Sequence, residues 1–201
     1  MSSSTGELAS LLADIAQGYM TPEKIVETTQ AMDAKYVTFL SMLPISWQYE
    51  EETLNEAHPG IYGRTIHRYL NNRAAQFWNS YRMARIFLNG VMHGHARHLP
   101  SSASLLLVQA NNNVQQMAED ICASVPQFIR PKHFSVASAA TLLWPLSSVR
   151  GANLVPQGLR DYAEERLRFL GRELRIPQAE KVAARREVGP LQDRLHMFYL
   201  S

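Results

Sequence analysis

The chain has 201 residues, of which 46% are hydrophobic and 19% are charged, so it can bury one normal core. We expect a single helical domain over residues 1–201. The formal net charge is only +2, far from the strongly basic balance of a dedicated nucleic-acid-binding domain. The single cysteine, Cys122, excludes a disulfide framework and a zinc site built from several cysteines of this chain.

Charge is unevenly distributed along the sequence. Residues 1–56 hold nine acids and two lysines, a local charge of −7, whereas residues 57–118 hold six arginines and no acid, a local charge of +6. The remaining residues carry +3. The simplest explanation is internal: an acidic N-terminal helical layer lies against a basic helix. Nucleic-acid binding is the sharper alternative, and the low net charge favours the internal explanation.

The N-terminal part is predicted to form two helices and a loop. A capping-box pattern at residues 4–7 starts the first helix, and Gly18 ends it. Thr21 and Pro22 start the second helix as its N-cap and its first helical residue. A polar loop is expected over residues 50–63.

A long helix is predicted in the middle of the chain. Apolar residues recur every three or four positions from residue 66 to residue 91, which keeps one helical face apolar. The predicted helix covers about residues 64–98 and places Phe77 and Tyr81 in the core.

Further helices are predicted in the C-terminal half. The first starts at Ser101 or Ser102 and runs to Pro126, and the second starts near Ser135 and carries Trp144-Pro145. A third follows Pro156, a short fourth begins at Pro177, and a last helical turn covers residues 191–199. Pro145 is expected to kink or end its helix. No stretch alternates like a strand, and no hairpin turn of the Asn-Gly kind occurs. The predicted fold is all-α, an irregular bundle of about seven to eight helices with one long central helix.

The segment 78–86 of the long helix concentrates the residues with chemical potential. Arg82 and Arg85 are i,i+3 neighbours, so they lie close together on the helix surface and together could clamp a carboxylate or a phosphate. The favoured interpretation is structural, with the two arginines paired to acids of the N-terminal helices such as Asp33 or Glu27.

Aromatic side chains complete the candidate ligand-binding set. Such residues are more often part of a core than of a ligand pocket, but with arginine donors they would suit an anionic or carbonyl-bearing ligand. The candidate ligand-binding residues are Trp47, Trp78, Tyr81, Arg82, Arg85 and Trp144.

A histidine cluster near the end of the long helix is the other candidate site. His95 and His98 share a helical face, but no carboxylate lies near them in the sequence, and histidines at a helix C-terminus complement its dipole. The chain has no phosphate loop, dinucleotide fingerprint or nucleophile elbow. We therefore expect neither a metal nor a cofactor, and we expect Cys122 to be a buried, unreactive thiol.

Several short sequence pieces, taken in order, resemble one protein family. They are Leu43-Pro44 with Trp47 and Tyr49; Trp78-Asn79-x-Tyr81-Arg82-x-x-Arg85-Ile86; Ile121-Cys122-Ala123-Ser124-Val125-Pro126; Trp144-Pro145-Leu146; and Leu167 through Leu170-Gly171-Arg172-Glu173, with Ile176 and Ala179. Over about residues 35–185 the chain resembles the C-terminal half of the regulatory domain of fungal binuclear zinc-cluster transcription factors. The resemblance implies an all-α regulatory domain. The family's zinc cluster needs six cysteines, so zinc binding and direct DNA contact carry over to no residue of this chain.

Two functions from different classes stay open. The first is a transcription-factor-like regulatory module that binds a small-molecule effector or a protein partner without touching DNA. The second is a freestanding, cofactor-independent enzyme of fungal secondary metabolism, a cyclase, pericyclase or isomerase that uses the aromatic and arginine-lined pocket on its substrate. A helical domain that lacks its other half would expose an apolar face, which a homodimer could cover.

The sequence also carries an expectation about location. Residues 1–4 lack the features of a secretory signal, and no apolar run approaches the roughly 20 residues that cross a bilayer. We expect an intracellular protein with no membrane partner, nuclear as a regulator and cytoplasmic as an enzyme.

Overall fold

A computed structural model describes residues 2–99, 104–129 and 134–184 of the chain. Its helices are α1 (Ser2–Ala16), α2 (Pro22–Leu40), α3 (Asn72–Ala96), α4 (Ser104–Ile129), α5 (Val136–Ala140), α6 (Leu143–Gly151), α7 (Gln157–Arg172) and α8 (Pro177–Ala184). A 3-10 helix (Ile45–Trp47) leads into two strands, β1 (Tyr49–Thr53) and β2 (Thr65–Tyr69). Seven of the described helices have eight residues or more and α5 has five, so the predicted all-α bundle of seven to eight helices is confirmed.

Helix α3 is the centre of the fold. Sixteen of its 25 residues are buried, which is more than one face of a helix can hold, so the helix is covered nearly all round. It packs most extensively against α4 and against α2. The predicted long central helix is therefore present, with Asn71 as its N-cap: the Asn71 side chain accepts a hydrogen bond from the Ala74 amide at 2.9 Å.

The predicted start of that helix near residue 64 is wrong. Residues 65–69 form β2, which pairs with β1 as an antiparallel hairpin in which Tyr49 lies opposite Tyr69 and Thr53 opposite Thr65. The helical spacing at Leu70 was coincidental, because this side chain is 71% exposed.

The local sequence accounts for this correction. Strand β2 begins with β-branched Thr65 and Ile66 and ends with aromatic Tyr69, which favours extended backbone. The cap at Asn71 then fixes where the helix can begin. Part of the predicted polar loop over 50–63 is likewise strand, since β1 covers Tyr49–Thr53. The sheet has only two strands among the described residues, so the bundle remains its dominant architecture.

The hairpin connection, residues 54–64, folds back onto α7. Gly60 and Gly63 adopt φ values of +84° and +62°, a backbone conformation that glycine reaches without strain. The Tyr162 hydroxyl donates to the Gly60 carbonyl at 2.9 Å, and the rings of Tyr62 and Tyr162 pack edge to face. The two strands are thus joined by a long connection with two glycines at positive φ, and not by a tight turn, which agrees with the lack of a turn signal in the sequence.

Two prolines lie inside helices that the sequence reasoning ended too early. Helix α4 continues past Pro126 to Ile129: the proline cannot donate to the Cys122 carbonyl, and only three residues of the helix follow it. Pro145 lies in the first turn of α6, where its missing N–H costs little. The break in the predicted helix falls before it, at Thr141 and Leu142.

The helices share one main apolar core and two smaller ones. The main core joins α3, α4, α6, α7, α8 and the hairpin, and the smaller cores lie between α1, α2 and α3 and between α2, α3 and α4. Tyr81 is 4% exposed, which confirms its predicted core position. Phe77 is only half-buried, so its prediction is wrong: its ring lies toward the surface, against Phe39 and Trp47.

The predicted helices after Pro156 and from Pro177 are confirmed as α7 and α8. Gly171 of α7 lies against the Glu180 backbone of α8, closely enough that an added Cβ would clash. The predicted caps at Ser101 or Ser102 and the predicted turn over 191–199 lie outside the described residues. Among the helices that are described, none is both long and apolar enough to cross a membrane.

Candidate functional site

Arg82 and Arg85, the arginines that the sequence singles out, are both buried on α3. Arg82 is 0% exposed and Arg85 is 9% exposed. Three residues of helix rotate the chain by about 300°, so the two side chains leave α3 about 60° apart. Arg82 reaches the hairpin and α4, whereas Arg85 reaches α2. The two guanidinium groups therefore do not share one ligand-binding face.

The Arg82 guanidinium is enclosed by groups of its own chain. One terminal nitrogen donates to the Tyr69 hydroxyl at 2.6 Å and to Asn79 Oδ1 at 3.2 Å, and the other lies 3.1 Å from His67 Nδ1. The nearest carboxylate oxygen, Asp120 Oδ2, is 3.6 Å from Arg82 Nε, and this Nε makes no hydrogen bond to a described residue. Most of the compensation for burying this charge therefore comes from neutral acceptors.

Aromatic rings complete the enclosure of Arg82. The guanidinium carbon lies 5.0 Å from the ring centre of Tyr49, 5.9 Å from that of Tyr69 and 5.3 Å from that of Trp78. Ring faces attract a cation at these distances, more strongly where water is excluded. The Arg82 cluster is thus a buried cation held by rings and hydrogen bonds at the junction of α3, α4 and the hairpin.

His67 stays neutral inside this cluster. Burial, and secondly the charge of Arg82, lower the pKa of His67 to about 3. A neutral imidazole has one bare nitrogen, and the short approach of Arg82 assigns that role to Nδ1. The ring also stacks on Tyr49, with ring centres 4.2 Å apart. Histidine here is an acceptor for Arg82 rather than a proton carrier at neutral pH.

Polar side chains connect the Arg82 cluster to α4. The Asn79 amide donates to the Ser124 hydroxyl at 2.9 Å, and that hydroxyl lies 2.7 Å from the Ile121 carbonyl. The Tyr69 amide of β2 donates to Gln127 Oε1 at 3.4 Å. The free edge of β2 is therefore attached to α4 by a side chain rather than by another strand.

Arg85 forms a different kind of site. Its Nε and one terminal nitrogen donate to the two carboxylate oxygens of Asp33 at 2.7 and 2.8 Å, a bidentate pair. Asn89 also donates to Asp33, at 3.0 Å, and Asn113 of α4 donates to Asn89 at 2.9 Å. Burial lowers the pKa of Arg85, but the hydrogen bonds to Asp33 and its charge outweigh this, so the pKa is raised.

The predicted pairing with an N-terminal acid is confirmed for Arg85 and wrong for Arg82. The Arg85 partner is Asp33 of α2, one of the two acids proposed from the sequence. The Arg82 partner acid is Asp120, which lies on α4, beyond the acid-free stretch. Two further partners of Arg82, Tyr69 and His67, lie on β2, a segment that the sequence predicts to be helical.

The aromatic candidates belong mostly to one chain of ring contacts. Trp47 and Trp78 each pack against Phe77, and Trp78 also packs against Tyr81 with ring centres 5.7 Å apart. The Trp78 indole N–H donates to the Trp47 carbonyl at 2.6 Å, which fastens the 3-10 helix to α3. Trp144 lies elsewhere, on α6, and is half-buried against the main core.

Sequence reasoning missed several members of these networks. The missed residues are His67, Tyr69, Asn79, Asn89, Asp120, Ser124 and Gln127. A usable signal existed for four of them: Asn79 and Ser124 lie in the family-like sequence pieces, Tyr69 lies in a β-favouring run, and Asp120 is among the first acids after the long acid-free stretch.

The described residues contain no group of three or more His, Cys, Asp and Glu that could hold a metal ion. Cys122 is fully buried, and burial raises the pKa of its thiol, so it lacks the exposure and the thiolate character of a reactive cysteine. Comparison of the chain with protein-family models, with curated proteins and with solved structures returned no match.

Proposed function

We propose that this chain is a regulatory module that acts by binding another protein and that it carries no DNA-binding zinc cluster of its own. The observation that carries this proposal is an exposed apolar segment, residues 37–45. Within nine residues, Val37 is 48% exposed, Met42 68% and Ile45 90%. Single exposed apolar side chains are ordinary, but several in one short segment are typical of a protein interaction site.

The enclosure of the arginines supports a protein partner over a small-molecule effector. Arg82 and Arg85, the cations that would clamp an anionic ligand, are occupied by Tyr69, Asn79 and Asp33. A ligand at either position would have to displace buried hydrogen bonds, each of which costs about 1–3 kcal/mol when left unmade. The same enclosure weakens the alternative of a cyclase, pericyclase or isomerase that grips its substrate with these residues.

The resemblance to the regulatory domains of fungal zinc-cluster transcription factors supports the regulatory role. Five sequence pieces carry it, and two of them, around Trp78 and Ile121, supply the residues that join α3 to α4. With one cysteine the chain cannot build the six-cysteine cluster, so we propose that any effect on transcription passes through the bound partner.

The test uses proximity labelling in cells that express the chain, followed by reconstitution of each candidate complex from purified proteins. The double variant Met42→Ser/Ile45→Ser removes the two most exposed apolar side chains of this segment. The control Leu105→Ser/Val108→Ser removes two other exposed apolar side chains, 79% and 59% exposed, on α4.

A partner that binds the wild type and the control in a purified complex, and binds the 42/45 variant at least tenfold more weakly, is the expected result. Equal binding by all three proteins would contradict the proposed surface. Conversion by the purified wild-type chain of a metabolite that accumulates when its gene is deleted would contradict the regulatory role and favour the enzyme.

A further inference from the structure

Strand β1 has one open edge. The Leu54 amide donates to the Arg64 carbonyl at 2.8 Å, and residues 54 and 64 continue the register of the hairpin. In an antiparallel ladder the hydrogen-bonded pairs alternate, so Glu50 and Glu52 turn their backbone groups inward to β2. The N–H and C=O groups of Tyr49, Glu51 and Thr53 then point outward.

The far edge of the hairpin supports this assignment. By the same alternation, Tyr69 of β2 points its backbone away from β1, and its amide is the one that donates to Gln127 of α4. That edge is covered. The outward groups of Glu51 and Thr53 make no hydrogen bond to a described residue, and both residues are exposed. The hairpin thus has one covered edge and one edge open to a further strand.

The open edge is acidic. Residues 36–63 hold Glu50, Glu51, Glu52 and Glu56 and neither lysine nor arginine. Arg68 of the facing strand pairs with Glu52. Among the described residues, Glu51 has one basic side chain within 4 Å, His67, whose Nε2 lies 3.7 Å away, but that ring is neutral because burial lowers its pKa to about 3.

Charge decides which occupant fits this edge. A second copy of the chain that paired β1 with β1 would place glutamates opposite glutamates, which destabilises a strand pair. An incoming strand with lysine or arginine at successive positions would meet Glu51 on one face of the sheet and Glu50 and Glu52 on the other.

We propose that β1 is a docking strand on which an extended, basic segment of a partner protein adds as a third strand of the sheet. This inference rests on the proposed function and specifies the chemistry of its partner. Main-chain hydrogen bonds would supply the affinity and the glutamates the selection of a basic sequence. Ile45 lies four residues before Tyr49, at most about 14 Å along the chain, so the same segment can place an apolar side chain on residues 37–45.

The binding probe is a fluorescein-labelled ten-residue peptide with lysine or arginine at successive central positions, so that both faces of the added strand carry basic side chains, and valine on either side. Its controls are the same peptide with glutamate in place of every basic residue, and the basic peptide with alternate backbone nitrogens methylated, which removes the ladder donors on one edge. Fluorescence anisotropy measures affinity at 50 and 300 mM NaCl, and NMR amide shifts locate the contact.

Binding of the basic peptide with shifts at Glu51 and Thr53, a loss of at least tenfold for Glu50→Lys/Glu51→Lys, and a weaker affinity at high salt are expected. The variant Glu23→Lys/Glu27→Lys, which changes two exposed acids of α2, should bind like the wild type. No binding up to 1 mM, or equal binding of the methylated or the acidic peptide, would overturn strand addition.

The partner isolated by proximity labelling separates this inference from the proposed function. If the Met42→Ser/Ile45→Ser variant no longer binds this partner but the Glu50→Lys/Glu51→Lys variant still does, the proposed function stands and the docking strand is overturned. A wild-type dimer in sedimentation that dissociates in the Glu50→Lys/Glu51→Lys variant would identify the occupant as a second copy and overturn the inference as well.

Discussion

Arg82 and Arg85 lie one turn apart on the same helix, yet their surroundings differ in kind. Arg85 is neutralised by one full charge, the bidentate carboxylate of Asp33. Arg82 is more deeply buried and is held by a hydroxyl, an amide, an imidazole and three ring faces, with its carboxylate partner at 3.6 Å. One helix thus uses the same residue type in two ways, once in an ion pair and once in an aromatic and hydrogen-bonded enclosure.

The difference shows how a charge can be buried without a tight ion pair. Desolvating an ion costs several kcal/mol, and a bidentate carboxylate offsets this by direct attraction. Around Arg82 many weaker contacts share the task, each worth about 0.5–3 kcal/mol. Loss of Arg82 therefore leaves several polar groups unpaired, whereas loss of Asp33 leaves one charge unpaired.

The largest effect should come from Arg82→Met. The variant leaves the Tyr69 hydroxyl, the Asn79 carbonyl and the His67 ring with fewer partners, so we expect the free energy of unfolding to fall by about 4–5 kcal/mol. Urea denaturation followed by circular dichroism measures it. The control Arg68→Met changes a half-exposed arginine and should cost less than about 1 kcal/mol. Equal costs for the two variants would refute the enclosure.

Asp33→Asn should have the second largest effect. We expect the free energy of unfolding to fall by about 3 kcal/mol, because the buried Arg85 guanidinium loses its counter-charge. The double variant Asp33→Leu/Arg85→Met should be more stable than Asp33→Leu alone, since no buried charge then stays unpaired. A double variant that loses the sum of the two single losses would show that Asp33 and Arg85 do not act as a pair.

The loss of stability in acid that His67 causes should be intermediate in size between the effects of Asp33→Asn and Asp120→Asn. The unfolded histidine titrates near pH 6.5 and the folded one near 3, so between these values only the unfolded state binds the proton, and stability falls as pH falls. From pH 7 to pH 4.5 this contribution lowers the free energy of unfolding by about 2–3 kcal/mol. The stability advantage of the wild type over His67→Gln should shrink by that amount over the same range. An advantage that does not change with pH would contradict a neutral His67.

Asp120→Asn should have the smallest effect, about 1 kcal/mol, because the Asp120 oxygen is 3.6 Å from Arg82 Nε and makes no hydrogen bond to it. Thermal or urea unfolding of this variant beside Asp33→Asn compares the two acids directly. A loss as large as that of Asp33→Asn would show that Arg82, like Arg85, depends on an ion pair.

The sequence predicted the helical fold well because apolar residues recur at helical spacing along α2, α3 and α7, and this signal is local in the sequence. It also predicted the Asp33 and Arg85 pair, since charge segregation is visible in one dimension. It failed where the competing signal was weak: residue 70 continued the helical spacing by coincidence, and the hairpin has an eleven-residue connection, 54–64, rather than a recognisable turn.

The Arg82 cluster could not be assembled from the sequence for the same reason. Three of its members, Tyr49, His67 and Tyr69, meet only when β1 and β2 pair, and Asp120 joins them from α4, 38 residues after Arg82. Without the hairpin, no spacing rule in the sequence brings these side chains together. The open edge of β1 is not predicted for the same reason, because it exists only where β1 pairs with β2.

The central claim is that the two arginines fasten different elements to α3. Native-state hydrogen exchange of the matched variants Arg82→Lys and Arg85→Lys tests it directly, because lysine keeps the charge and loses the planar donor fork. Arg82→Lys should lower the protection of β2 amides such as those of Ile66 and Arg68 and spare α2. Arg85→Lys should lower the protection of α2 amides around Asp33 and spare β2. Loss of protection in the same element in both variants, or unchanged protection of β2 in Arg82→Lys, would contradict the claim.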